Sequence, residues 1–176
     1  MSRRLSREFA MQLIYQMEVQ KEDREEQLTL AFELSDIEFS EKDRTYINNV
    51  VPGVFENIDE IDGIVAQHAK GWKLQRISRI DLAILRLCIF EIKYRDDIPL
   101  SVSINEAVEL AKKYGAEDSG SFINGILSKV EEPLKTCSDE TQFAGTNITK
   151  RHMDEPLIGE RHMAEPLIAE TPIAEK

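Results

Sequence analysis

The chain has 176 residues, 31% of them charged, and a formal net charge of −11, which sets the prior at one domain with room for an appendage and is ample for a hydrophobic core. So acidic a balance excludes nucleic-acid binding over the whole surface and confines it to a local patch. There is no apolar run of about 18 residues to span a membrane, the opening arginines lack the apolar stretch of a secretory signal, and two distant cysteines, Cys88 and Cys137, form no disulfide framework, a pattern expected of a cytoplasmic protein.

Helical periodicity begins at once. Phe9, Leu13, Ile14 and Met17 recur at helical spacing and predict a helix over 3–20. Residues 1–7 hold Arg3, Arg4 and Arg7 and no acid, and Arg3 and Arg7, four apart, would share a face. An arginine's planar fork grips phosphate and stacks on bases, so the segment reads either as a focal RNA-binding patch or as a solvated terminus. Tyr15, about two turns beyond Arg7, reads either as a half-buried core aromatic or as a stacking residue.

A second helix is expected over 24–34, with Leu28, Ala31 and Phe32 inward. Ser40 is placed to cap a third and Asp43 to reciprocate; this helix would bury Ile47, Val50, Val51 and Val54, and Pro52-Gly53 predicts a bend in it or its division into two. A fourth follows over 57–69, ended by Gly71. Ser78 is the expected cap of a helix over 79–94, apolar on nearly every side and so central in the fold. After Pro99, Ser103 and Glu106 form a second expected capping box for a helix over 105–114, closed by Gly115 as a C′ glycine. The last helix is expected over 119–130, stopped by Pro133, with Gly125 allowing close helix packing and Asn124 bonding backbone. No hairpin dipeptide separates alternating apolar runs. The pattern is all-α: a bundle of about seven helices with short antiparallel connections.

From residue 136 the chain changes character, with four basic and eight acidic residues. Arg151–Glu160 is nearly repeated as Arg161–Glu170, and a shortened third copy follows. Proline in each copy opposes a continuous helix, so residues 136–176 are expected to be a disordered acidic tail on a helical domain of residues 1–135. His152 and His162, each beside a methionine, suggest a soft-metal site only faintly, and His68 has no partner at metal-ligand spacing. No phosphate-binding loop, dinucleotide fingerprint, nucleophile elbow or zinc-protease motif occurs. Asn105 and Glu106 are better explained as first-turn and capping residues than as catalytic ones.

The run Ile104-Asn105-Glu106-Ala107-Val108-Glu109-Leu110-Ala111-Lys112, followed by Phe122-Ile123-Asn124-Gly125-Ile126-Leu127, resembles the INEAVELAK…FxNGxL signature of the NusB family of bacterial transcription antitermination factors. The arginine-rich start with Ala10, Leu13 and Tyr15, and Asp81–Leu87 continuing to Phe90-Glu91-Ile92, are similar to that family's first and central helices. The resemblance covers about residues 3–132. It implies two helical subdomains joined near Gly71 and a non-catalytic, cofactor-free adaptor. Arg3, Arg4, Arg7, Tyr15, Lys112, Asp118 and Phe122 would hold single-stranded boxA-like RNA of nascent ribosomal RNA. Gln75, Arg76, Arg79, Asp81 and Arg86 would contact the ribosomal small-subunit protein NusE, and the assembly would act on RNA polymerase. The family's domain also fronts some ribosomal RNA methyltransferases, but the segment after residue 135 is too short and repetitive for a methyltransferase domain. The remaining alternative is a purely protein-binding scaffold or homodimer.

Overall fold

The computed structural model describes residues 3–20, 23–69 and 71–139, with side chains as far as Val130. In chain order these form α1 (Arg3–Gln20), α2 (Arg24–Leu34), α3 (Glu41–Glu56), α4 (Ile58–His68), α5 (Arg79–Tyr94), α6 (Leu100–Tyr114) and α7 (Ser119–Asp139), with a 3-10 turn at Leu74–Arg76. No strand occurs among the described residues. The residues from 140 onward, with the repeats, His152 and His162, lie outside the described residues, as does the side chain of Cys137.

Helix starts follow local chemistry. Asp23 accepts the Glu26 N–H at 2.9 Å, and Ser78 accepts the Asp81 N–H at 3.0 Å, each satisfying one of the donors orphaned in a first turn. The Ser40–Asp43 capping box forms as expected. It is also tied to α1, because Ser6 Oγ donates to Asp43 Oδ1 at 2.5 Å.

Prolines and glycines depart from the expectations. Helix α6 begins at Leu100 with Pro99 in the cap position, because a proline there forfeits only an N–H that would be orphaned anyway. Ser103 therefore lies inside the helix, buried, with its Oγ unbonded, and the Ser103–Glu106 box does not form. Helix α3 is one helix through Pro52, not two; Val50, Val51, Val54 and Phe55 are buried on both sides of the proline, and that burial outweighs one lost backbone bond. Helix α7 likewise continues past Pro133 to Asp139, beyond the stop expected there. Gly115 has φ −85° rather than a left-handed conformation; a Cβ there would run into the Ser119 side chain. Gly71, with φ +85°, turns the chain after α4.

Helices α1–α4 and α5–α7 make two halves that meet around residues 69–78 and share one core. Helix α5 is its centre, packed against α1, α3, α4, α6 and α7, and every residue from Asp81 to Glu91 is buried. Gly53 allows this: a Cβ on it would collide with the Phe90 ring. Cys88 is buried here as expected, and burial and the Glu91 charge push its thiol well above the ordinary range.

Candidate nucleic-acid interface

Successive residues of a helix point about 100° apart, so Arg3 and Arg7, four apart, share a side of α1 and Arg4 points away from them. Arg4 is exposed and donates to Glu109 Oε2 of α6 at 3.3 Å. Arg3 is exposed at the mouth of a pocket of about 320 Å³, lined also by Lys42, Tyr46, Arg95 and Asp97. Arg7 turns inward and is only 4% exposed. Its Nε donates to both Glu91 oxygens, at 2.8 and 3.1 Å, and the Tyr46 hydroxyl donates to the same carboxylate at 2.5 Å. Burial and the Glu91 charge push the Tyr46 hydroxyl well above its ordinary range. Arg7 thus holds α1, α3 and α5 together; it shares a side of α1 with Arg3 and lines the same pocket, but it is buried and paired rather than presented to RNA as expected.

The outward edge of α1 lies against the C-terminal turns of α6. Lys113 Nζ donates to Glu8 Oε1 at 2.6 Å, Tyr114 donates to the same oxygen, Gln12 Nε2 donates to the Tyr114 hydroxyl at 3.2 Å, and Lys112 Nζ reaches Glu109 at 2.9 Å. Burial pushes the Glu8 carboxyl up, but the bonds from Lys113 and Tyr114 outweigh it and hold the group below its ordinary value. Tyr15, one turn beyond Gln12, is 37% exposed. Arg4, Tyr15 and Lys112 are therefore brought to one face, where Glu8 and Glu109 already occupy cations. Incoming phosphates would compete with those carboxylates. Glu8 and Glu109 were not singled out from sequence: the spacing of Arg4, Glu8 and Gln12 is visible there, but their α6 partners are about a hundred residues away.

Helix α7 completes the region. Lys112 lies over Gly120, where a Cβ would come within 3.2 Å of its Cγ. Phe122 faces the opposite flank of α7 and packs edge-on against Trp72, centroids 5.7 Å apart. Asp118 is exposed just before the helix and its carbonyl accepts the Phe122 N–H. Asn124 is exposed; Ser128 Oγ donates to its carbonyl, and its amide makes no bond among the described residues, contrary to the expected backbone bond.

The residues expected to face a protein partner divide in two. Gln75, Arg76 and Arg79 are exposed on the 3-10 turn and at the start of α5. Asp81 and Arg86 are buried and do not pair with each other. Arg86 grips Asp62 with two bonds, at 2.8 and 2.7 Å, and meets Glu18 at 3.3 Å. Burial opposes its charge, yet Asp62 and Glu18 hold its pKa above the ordinary value. Arg86 is thus a bolt between helices rather than a surface charge. Asp81 Oδ1 has no hydrogen-bond partner among the described residues.

No group of His, Cys, Asp and Glu among the described residues could hold a metal ion, and no helix among them is long and apolar enough to cross a membrane.

The NusB family model matches residues 4–132. The transcription antitermination protein NusB of Acetivibrio thermocellus is 62% identical over 130 residues, which cover 74% of this chain and 88% of that protein. The solved structure of T. maritima NusB aligns with a TM-score of 0.68 and 33% identity over 75% of this chain and 92% of its own. A crystal structure of the antitermination factors NusB and NusE in complex with dsRNA aligns with a TM-score of 0.67 and 25% identity, over 74% and 96%. The family model and these relatives match nearly the whole described chain, which belongs to the NusB family.

Proposed function

We propose that the chain is a non-catalytic antitermination adaptor that works in the cytoplasm on nascent ribosomal RNA. It holds a single-stranded boxA-like segment on the face formed by Arg4, Tyr15 and Lys112 and by the start of α7 at Asp118 and Phe122, with Arg3 contributing from the neighbouring pocket. Arg7 acts from inside, by fixing α1. NusE docks beside the exposed Gln75, Arg76 and Arg79, near the unbonded oxygen of Asp81, and Arg86 sets the α4–α5 geometry beneath. RNA and NusE each strengthen the other's hold through joint contact, which is coupling in the thermodynamic sense, and the assembly sustains transcription by RNA polymerase. The observation that carries this reading is the match to a crystal structure of NusB and NusE with dsRNA, nearly all of whose matched chain is covered. A purely protein-binding scaffold is the second reading, favoured by the carboxylates that already occupy Arg4, Lys112 and Lys113.

The test is fluorescence anisotropy of labelled boxA RNA, single-stranded and duplex, with and without NusE, at two salt concentrations. The adaptor binds the single strand more tightly when NusE is present, and Arg4→Ala lowers the slope of affinity against salt by about one phosphate contact. Absence of RNA binding even with NusE would favour the scaffold.

A further inference from the structure

The pocket beside Arg3 takes its walls from α1, from the first turns of α3 and from the connection between α5 and α6. Several charges around it are already matched. Asp43 accepts from Ser6 at one carboxylate oxygen and from Ser40 at the other, and Arg95 holds Asp97 with two bonds, at 2.8 and 2.9 Å. What remains is mainly cationic. Arg3 and Lys42 are exposed and make no ion pair among the described residues. Against them stands one unmatched carboxylate among the lining residues, that of Glu41. This excess lies in a chain whose net charge is −11.

Two sets of donors at this pocket lack acceptors. Arg7 is 4% exposed, and its Nε alone meets Glu91; its Nη1 and Nη2 make no hydrogen bond among the described residues. Buried nitrogens of this kind ordinarily find acceptors, because an unmet donor away from water is costly. The capping box of α3 serves the Asp43 N–H and leaves those of Glu41 and Lys42, in the same first turn, open. The helix dipole adds positive potential there.

We propose that this pocket binds a small molecule through a terminal phosphate monoester, held by Arg3, Lys42, the Nη groups of Arg7 and the first turn of α3. The chemistry selects the class. A phosphate monoester carries nearly two charges and three acceptor oxygens, which suit several converging donors and the planar forks of arginine; a carboxylate carries one charge and two oxygens. A volume of about 320 Å³ is that of a small-ligand cleft, and the buried Ile98 gives it an apolar wall, so a short organic body fits beside the phosphate. A diester within an RNA strand carries one charge and is flanked by sugar on both sides, so it does not enter end-on to reach the enclosed Arg7. The site is thus separate from the RNA face formed by α1, α6 and α7, and shares with it only Arg3. A bound phosphate bridges α1 and α3 and so steadies the helix that carries Arg4 and Tyr15.

The test is titration of the full chain with phenyl phosphate by calorimetry, with melting temperature followed against sodium chloride of the same ionic strength. The expected result is saturable binding of one phenyl phosphate per chain and a melting temperature that rises with its concentration, as ligand binding to the folded state requires. Lys42→Ala and Arg3→Ala each bind about tenfold more weakly, with the ligand-free melting temperature unchanged, and Lys42→Ala holds boxA RNA as tightly as the parent. A response no larger than that to chloride, or equal binding of phenyl phosphate by Lys42→Ala, would overturn the site. Phenyl phosphate displaced by boxA RNA, or RNA affinity lost in Lys42→Ala, would make the pocket part of the RNA face and overturn the separate site.

Discussion

Arg4 and Arg7 are chemically identical and three residues apart, and the direction in which α1 points them separates their roles. Arg4 faces water and α6; Arg7 is enclosed with Glu91 and Tyr46. Removing one partner of a buried pair strands the other's charge, so Arg7→Ala is expected to lower unfolding free energy by about 3–5 kcal/mol, measured by urea denaturation, while Arg4→Ala leaves the midpoint unchanged. An Arg7→Ala protein as stable as the parent would refute the structural role. Acid sensitivity is set by single residues too. Burial raises Glu8, but Lys113 and Tyr114 hold it below its ordinary 4.5, and bonds from Ser40 and Ser6 hold Asp43 below 3.8. Carboxyls depressed in the folded state bind fewer protons there than in the unfolded chain, so their contribution is complete above the ordinary values and fades as pH falls through the depressed ones. Stability should therefore drop on acidification below about pH 5, and the Glu8→Gln, Asp43→Asn double variant should show a shallower drop. An identical acid limb in that variant would exclude these two groups as its source.

At the scale of the element, helix starts that depend on a residue and its third neighbour were legible: Ser40 with Asp43, and Ser78 with Asp81. The α6 start was not. Ser103 and Glu106 have capping-box spacing, yet Pro99 also fits a first turn, and packing of Leu100 and Ile104 against the core favours the longer helix. Pro52 was overweighted for the same reason, since its local penalty loses to burial on both sides. Gly53 shows where such burial is most exacting. In Gly53→Ala the new methyl meets the Phe90 ring, and the expected destabilisation is about 1–3 kcal/mol, read from the shift in denaturation midpoint. An unchanged midpoint would mean that α3 and α5 can part without cost.

For the whole molecule, the charge of −11 opposes a polyanion over most of the surface, and the proposed RNA face lies where α1, α6 and α7 meet. Among the described side chains the core runs from α1 to Val130, and the repeats carry no core pattern, so removal of residues 140–176 is expected to leave the melting temperature and RNA affinity unchanged, by calorimetry and anisotropy. A fall of several degrees would show that the repeats belong to the folded unit.

Sequence alone determined the all-α class, the order of the seven helices, the Ser40 and Ser78 caps and the family signature, because periodicity and capping are set by residues within about four positions of one another. Tertiary structure alone decided which arginine faces water, which carboxylate meets each cation, and whether a glycine lies beneath a ring, as at Gly53, or opens to solvent, as at Gly125. Those outcomes depend on partners such as Arg7 and Glu91, which are 84 positions apart in the chain and meet only when α1 is laid against α5.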